Sequence, residues 1–130
     1  MLKQMEDSMN EHKDLPLCKD VRILEKEFKD CQKLLTAVGD INRQYLLCTM
    51  LKSPIEGLRV IDIAKTSSLS RPAISHHMQI LKDAGIVKSR KEGTCIYYYL
   101  DPDSNQITTL LSLVERLTKI MKQLPDRFEL

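Results

Sequence analysis

Residues 68–101 read SLSRPAISHHMQILKDAGIVKSRKEGTCIYYYLD, and this stretch decides the fold. Ser70 stands before a run in which Ile74, His77, Met78 and Leu81 recur at i, i+3, i+4 and i+7, the spacing that gathers side chains on one face of an α-helix. A serine in that place caps exposed amides, Pro72 is tolerated in a first turn, and Ala84-Gly85 stops the run. A helix is therefore predicted from Ser70 to Ala84. Beyond it, IVKSRKEGTCIYYYL alternates on either side of Glu92-Gly93, as a hairpin does. Upstream, GLRVIDIAKTSSLS predicts a short helix around Val60 to Lys65 and then a polar turn. Two helices joined by a tight turn, the second opening on Ser-Arg, form the helix-turn-helix arrangement.

The same spacing separates the two adjacent histidines. His77 falls on the inward face, where a hydrogen-bonded structural role outweighs a ligand role, and His76 points outward with Arg71, Ser75 and Gln79. Neighbouring helical side chains diverge by about 100°, whereas helical zinc pairs use i, i+4 spacing, so the two do not make a metal site. The outward four match base-reading chemistry: arginine pairs with guanine, glutamine with adenine, and serine or histidine with several acceptors. Base readout by Arg71, Ser75, His76 and Gln79 is the expectation. No nucleophile elbow, phosphate loop or paired-acid motif occurs, so neither an enzyme nor a cofactor is expected.

Working outward, residues 1–17 are polar, end in Leu-Pro and form an N-terminal arm; residues 18–125 are one domain, and 126–130 a tail. Apolar positions recur at helical spacing from Lys19 to Val38, predicting an amphipathic helix stopped near Gly39. A second helix starts after Asp40 as N-cap and runs to Ser53-Pro54, with Tyr45, Leu46, Leu47, Met50 and Leu51 as core. Asn105 to Leu124 is a strongly apolar helix closed by Pro125. The first and last helices carry more apolar positions than a small core covers, which predicts a homodimer through them. The fold expected is mainly α with a small β-hairpin wing.

Charge agrees with a polyanion partner. The chain of 130 residues has a net charge of only +2, yet residues 64–99 hold six bases against two acids, a surplus of four. Phosphate contacts are expected from Lys65, Ser70, Lys88, Arg90 and Lys91 on double-stranded DNA. No apolar run approaches the roughly 18 residues of a membrane span, and the N-terminus lacks a signal-like apolar core, so a cytoplasmic protein without membrane contact is expected. Cys18, Cys31, Cys48 and Cys95 are scattered with no C-x-x-C pair, as in a chain of reduced thiols.

The strings AVGDINRQYLLCTML and VIDIAKTSSLSRPAISHHMQILKDAGIVKSRKEGTCIYYYL, with the closing helix, resemble the ArsR family of bacterial winged helix-turn-helix repressors over roughly residues 34–122. The resemblance implies a dimer whose Ser70 to Ala84 helix enters the major groove while the Lys88 to Tyr97 wing touches phosphate or minor groove, and an inducer that releases DNA. The family's thiolate metal motif corresponds here to Arg59-Val60-Ile61-Asp62-Ile63, without either cysteine, and Asn105 and Arg116 stand where interfacial histidines would follow Asp103. No metal site is expected. Cys48 resembles the first cysteine of a thiol-sensing branch; the last helix has none, which leaves Cys31 as the substitute partner, and core packing is the plainer role for Cys48. His12 with Cys18 is a remote ligand pair, and Cys95 in the wing receives no function. The rival function is a helical dimerisation module that binds protein.

Overall fold

The computed structural model describes residues 16–125. Most of the predicted arm, with His12, and the tail 126–130 lie outside the described residues. The elements are α1 (Pro16–Asp30), α2 (Gln32–Val38), α3 (Ile41–Leu51), α4 (Val60–Thr66), α5 (Arg71–Asp83), β1 (Val87–Glu92), β2 (Cys95–Leu100) and α6 (Asn105–Lys122). One compact unit runs from Cys31 to Ile107; the other joins α1 to α6 from Thr108 onward. The order of helices and the hairpin make a winged helix-turn-helix, as the sequence predicts.

Within the 31–107 unit, α2, α3, α4 and β1 pack on α5. Ile74, Met78 and Leu81 of α5 are fully buried, and burying each such side chain contributes about 1.5–3 kcal/mol. Ser70 caps α5, its hydroxyl accepting from Ala73 N at 3.3 Å. Asp40 caps α3, accepting from Asn42 N at 2.9 Å and Arg43 N at 3.1 Å. Those amides, Arg43's first, hold the Asp40 carboxyl below its usual range. On α3 the inward face is Arg43, Leu46 and Met50, so Tyr45 and Leu51, expected in the core, are exposed instead. They lie on the far side of the turn from Leu46. The single helix expected from Lys19 to Val38 is two helices, parted at Cys31 (φ −96°, ψ 2°), whose side chain is fully buried.

The hairpin pairs Val87 with Leu100 and Glu92 with Cys95, leaving a two-residue turn, Gly93-Thr94. Gly93, with φ +61°, takes the first turn position, the place glycine holds in type II′ hairpins. The far edge of β2 gains a short bridge that sequence periodicity does not show. Leu58 N donates to Tyr98 O at 2.9 Å and Tyr98 N to Leu58 O at 2.8 Å. Gly57 permits this approach: its φ is +96°, and an added Cβ would stand 2.5 Å from Tyr98 O. Gly57→Ala should cost roughly 1–3 kcal/mol, from the left-handed backbone and the clash together. Urea unfolding checks it; unchanged stability would mean that the bridge does not form.

In the second unit, α1 and α6 are fastened by a buried carboxylate. Glu27 accepts from Ser112 Oγ and from Arg116 Nε, each at 2.5 Å, while Arg116 and Lys119 each stand 3.5 Å from Asp20. The Ser112 hydroxyl, and after it Arg116, hold the Glu27 carboxyl below its usual range against the opposing pull of burial. A carboxyl lowered on folding stabilises above its unfolded value and loses that contribution as pH falls through the lowered one. Wild type should therefore exceed Glu27→Gln in stability at neutral pH, and the gap should close in acid. A gap that stays constant into acid would refute the linkage.

Candidate nucleic-acid interface

The outer face of α5 presents Arg71, Ser75, His76 and Gln79, all exposed. Their separation from the fully buried Ile74, Met78 and Leu81 follows from the helical period. Gln79 Nε2 donates to Asp83 Oδ1 at 2.9 Å, so reading a base with both amide atoms requires exchanging that bond. The rings of His76 and His77 stand 6.1 Å apart and tilted by 49°, and His76 is exposed while His77 is half-buried.

His77 is held by a residue that sequence reasoning missed. Arg43 is buried, and its Nη1 lies 3.2 Å from His77 Nδ1. A guanidinium only donates, so in this contact Nδ1 is the acceptor. Arg43 Nε also donates to Ala37 O at 2.7 Å, and Nη2 to Thr36 O at 3.2 Å. These carbonyls close α2, where a cation meets the negative end of the helix dipole. One side chain thus links α2, α3 and the recognition helix. The signal for it was present: Arg43, Leu46 and Met50 share one helical face.

The wing treats its three cations differently. Lys91 is exposed beside the turn, opposite Ile96. Lys88 lies 3.6 Å from Asp101. Arg90 is engaged three ways: over the Tyr97 ring at 4.7 Å, with Glu92 at 3.1 Å, and donating from Nη1 to the Glu56 carbonyl. Arg90 therefore shapes the wing, and Lys91 is presented by it. Lys65 is exposed in the last turn of α4. Among the described residues neither Lys65 nor Lys91 has an ion-pair partner. Lys82 Nζ donates to Ser89 Oγ at 2.9 Å, tying the end of α5 to β1.

The positions of the resembled family's metal motif are filled by other chemistry. Arg59 Nε and Nη2 grip Asp62 at 2.9 and 3.0 Å. That grip lowers the Asp62 carboxyl's pKa and, with the Cys95 thiol second, raises that of Arg59. A guanidinium and the aliphatic Ile61 cannot ligate, so these residues do not fit a metal. Arg116 is likewise committed to Glu27 and Asp20. Cys48 is exposed on α3, which corrects the core-packing expectation; the inward face of that helix belongs to Arg43, Leu46 and Met50. Cys31 is fully buried.

A family model described as bacterial regulatory protein, arsR family, matches residues 40–89, from the cap of α3 into β1. An uncharacterized HTH-type transcriptional regulator of Methanocaldococcus jannaschii is 34% identical over 92 residues, covering 71% of this chain and 99% of the relative. The transcriptional activator HlyU of Vibrio cholerae is 30% identical over 94 residues, covering 72% of this chain and 82% of the relative. Among solved structures, an ArsR-like transcriptional regulator from Rhodococcus sp. RHA1 superposes with a TM-score of 0.64 over 74% of this chain and 84% of its own. At 21% identity that likeness concerns the fold.

Proposed function

This chain belongs to the arsR family of bacterial regulatory proteins and is a transcriptional regulator, and from that premise we propose that it is a homodimeric, cytoplasmic repressor of double-stranded DNA operators, released by an inducer. The observation that carries the proposal is the two-faced α5, with its apolar side fully buried and Arg71, Ser75, His76 and Gln79 standing outward beside the Lys91 wing. The outward four read base edges; Lys65, Ser70, Lys88 and Lys91 meet phosphates, and Arg90 positions the wing. The protein acts by binding and has no catalytic step. In the described residues no helix is long and apolar enough to cross a membrane.

A second copy is supported by the outer row of α6. Ile107, Leu111, Val114 and Met121 are about half exposed or more, and their 4-3-7 spacing gives one apolar stripe; Ile23 and Phe28 of α1 are exposed too. A stripe of this kind favours association with an identical copy. Two recognition helices about one DNA turn apart then read a palindromic site. Genomic pull-down of bound fragments, then titration of the recovered operator and a scrambled duplex at several salt concentrations, tests the reading. Binding that is insensitive to salt, or equal for both duplexes, would refute it, and a reporter downstream of the operator decides repression.

The exposure of Cys48 favours a second reading, in which oxidation or persulfidation of this thiol is the releasing signal. Mild oxidant should then weaken operator binding severalfold in the natural protein and leave Cys48→Ser unaffected. Identical responses would remove Cys48 from the signal path.

A further inference from the structure

Between the end of α3, the following loop and the base of the wing lies a cleft of about 580 Å³, within the range of small-molecule sites, roughly 300–1,000 Å³. Its walls are Met50, Leu51, Ile55, Leu58 and Tyr99, and Arg90 is its fixed charge. Ile55 is 98% exposed and Leu51 72%, so two large apolar side chains stand in water at the mouth. The loop is braced without them. Gly57 N donates to Pro54 O at 3.0 Å, Leu58 bridges to Tyr98, and the Arg90 guanidinium donates to Glu56 O.

Arg90 spends Nε on Glu92 and one Nη1 hydrogen on the Glu56 carbonyl, which leaves Nη2 able to donate. The Glu92 side chain is 62% exposed, and a pair so solvated competes weakly with an added anion. We propose that this cleft binds a small amphiphile bearing one carboxylate. Its apolar body lies against Leu51, Ile55 and Leu58, and its carboxylate meets Arg90. Because Arg90 and the Leu58–Tyr98 bridge fasten the cleft's wall to the wing that presents Lys91, occupancy shifts the wing and weakens phosphate contact. The cleft then serves as an inducer site, a role that rests on the operator reading, whereas the binding itself does not.

Titration of protein labelled at isoleucine and methionine methyls with decanoate, and with decanol as its neutral counterpart, tests the binding by NMR. The Ile55 and Met50 signals should shift saturably while Ile23, Ile107 and Met121 stay in place. Decanoate should bind about tenfold more tightly than decanol, the share of one charge-assisted hydrogen bond. Arg90→Gln should erase that preference and Arg90→Lys keep it. If Arg90→Gln loses decanol binding as well, the lysine variant decides, since a lost preference there also overturns the proposal. Equal affinity for acid and alcohol, shifts as large on α6 as at Ile55, or no saturable shift would each overturn it. Operator anisotropy with decanoate present reads the coupling: binding in the cleft without DNA release overturns the inducer role alone. Failure to bind any duplex before decanoate is added would count against the operator reading and leave the cleft standing.

Discussion

Arg43→Ala is expected to lower the free energy of unfolding by about 3–5 kcal/mol, one of the largest losses available to a single substitution in this chain. The guanidinium donates to two carbonyls at the end of α2 and to His77 on the recognition helix. Alanine leaves all three acceptors short of a partner, the Ala37 carbonyl at a buried site and the other two half-buried, and each unsatisfied group costs about 1–3 kcal/mol, partly recovered by water. Lysine keeps the charge but lacks the planar fork that reaches three acceptors, so Arg43→Lys should fall between. Urea unfolding of the three proteins measures the series. A loss below about 1 kcal/mol in Arg43→Ala would mean that the linkage does not hold the fold. His77→Ala removes only one of the three bonds. It should cost less stability while still loosening α5, which operator titration at a temperature where both proteins are folded will show as weaker binding.

The second large effect separates phosphate contacts from base contacts. Lys91 is exposed beside the wing turn and without an ion pair among the described residues, so its ammonium can meet a phosphate but has no fixed base edge. Lys91→Ala should weaken operator and scrambled duplex alike. A dimer presents the wing twice, so two phosphate contacts vanish and the log–log salt slope should become shallower by roughly 1.8. Arg71→Ala should instead cost mainly operator affinity, about 1–3 kcal/mol of discrimination at one position of each half-site. Gln79→Ala should act in the same direction but less strongly, because its amide gives up the bond to Asp83 before it reads a base. If the helix substitutions lowered both affinities equally, or Lys91→Ala left the slope untouched, the placement of helix and wing on DNA would be wrong.

The bounds of α3 and α5, the recognition-helix faces and the hairpin were legible in the residues because each rests on local chemistry, whereas the break at Cys31 between α1 and α2 was not. Ser70 and Asp40 cap helices through amides two or three residues away, Gly93 turns the hairpin in place, and the 3.6-residue period separates Ile74, Met78 and Leu81 from Arg71, Ser75 and Gln79. Composition and patterning alone also pointed to DNA, through the basic surplus around that helix. What tertiary structure decided involves partners far apart in the chain. His77 was readable as inward but not as bonded to Arg43, 34 residues away. Arg90 was readable as a cation but not as one engaged by Tyr97, Glu92 and the Glu56 carbonyl. The Leu58–Tyr98 bridge was invisible because a pair of hydrogen bonds on a strand edge leaves no periodic mark. Cys48 went the other way, an apolar-looking position turned to solvent because the buried face of α3 was already taken by Arg43, Leu46 and Met50. Periodicity tells which residues share a face; which face is buried depends on what the rest of the chain lays against it.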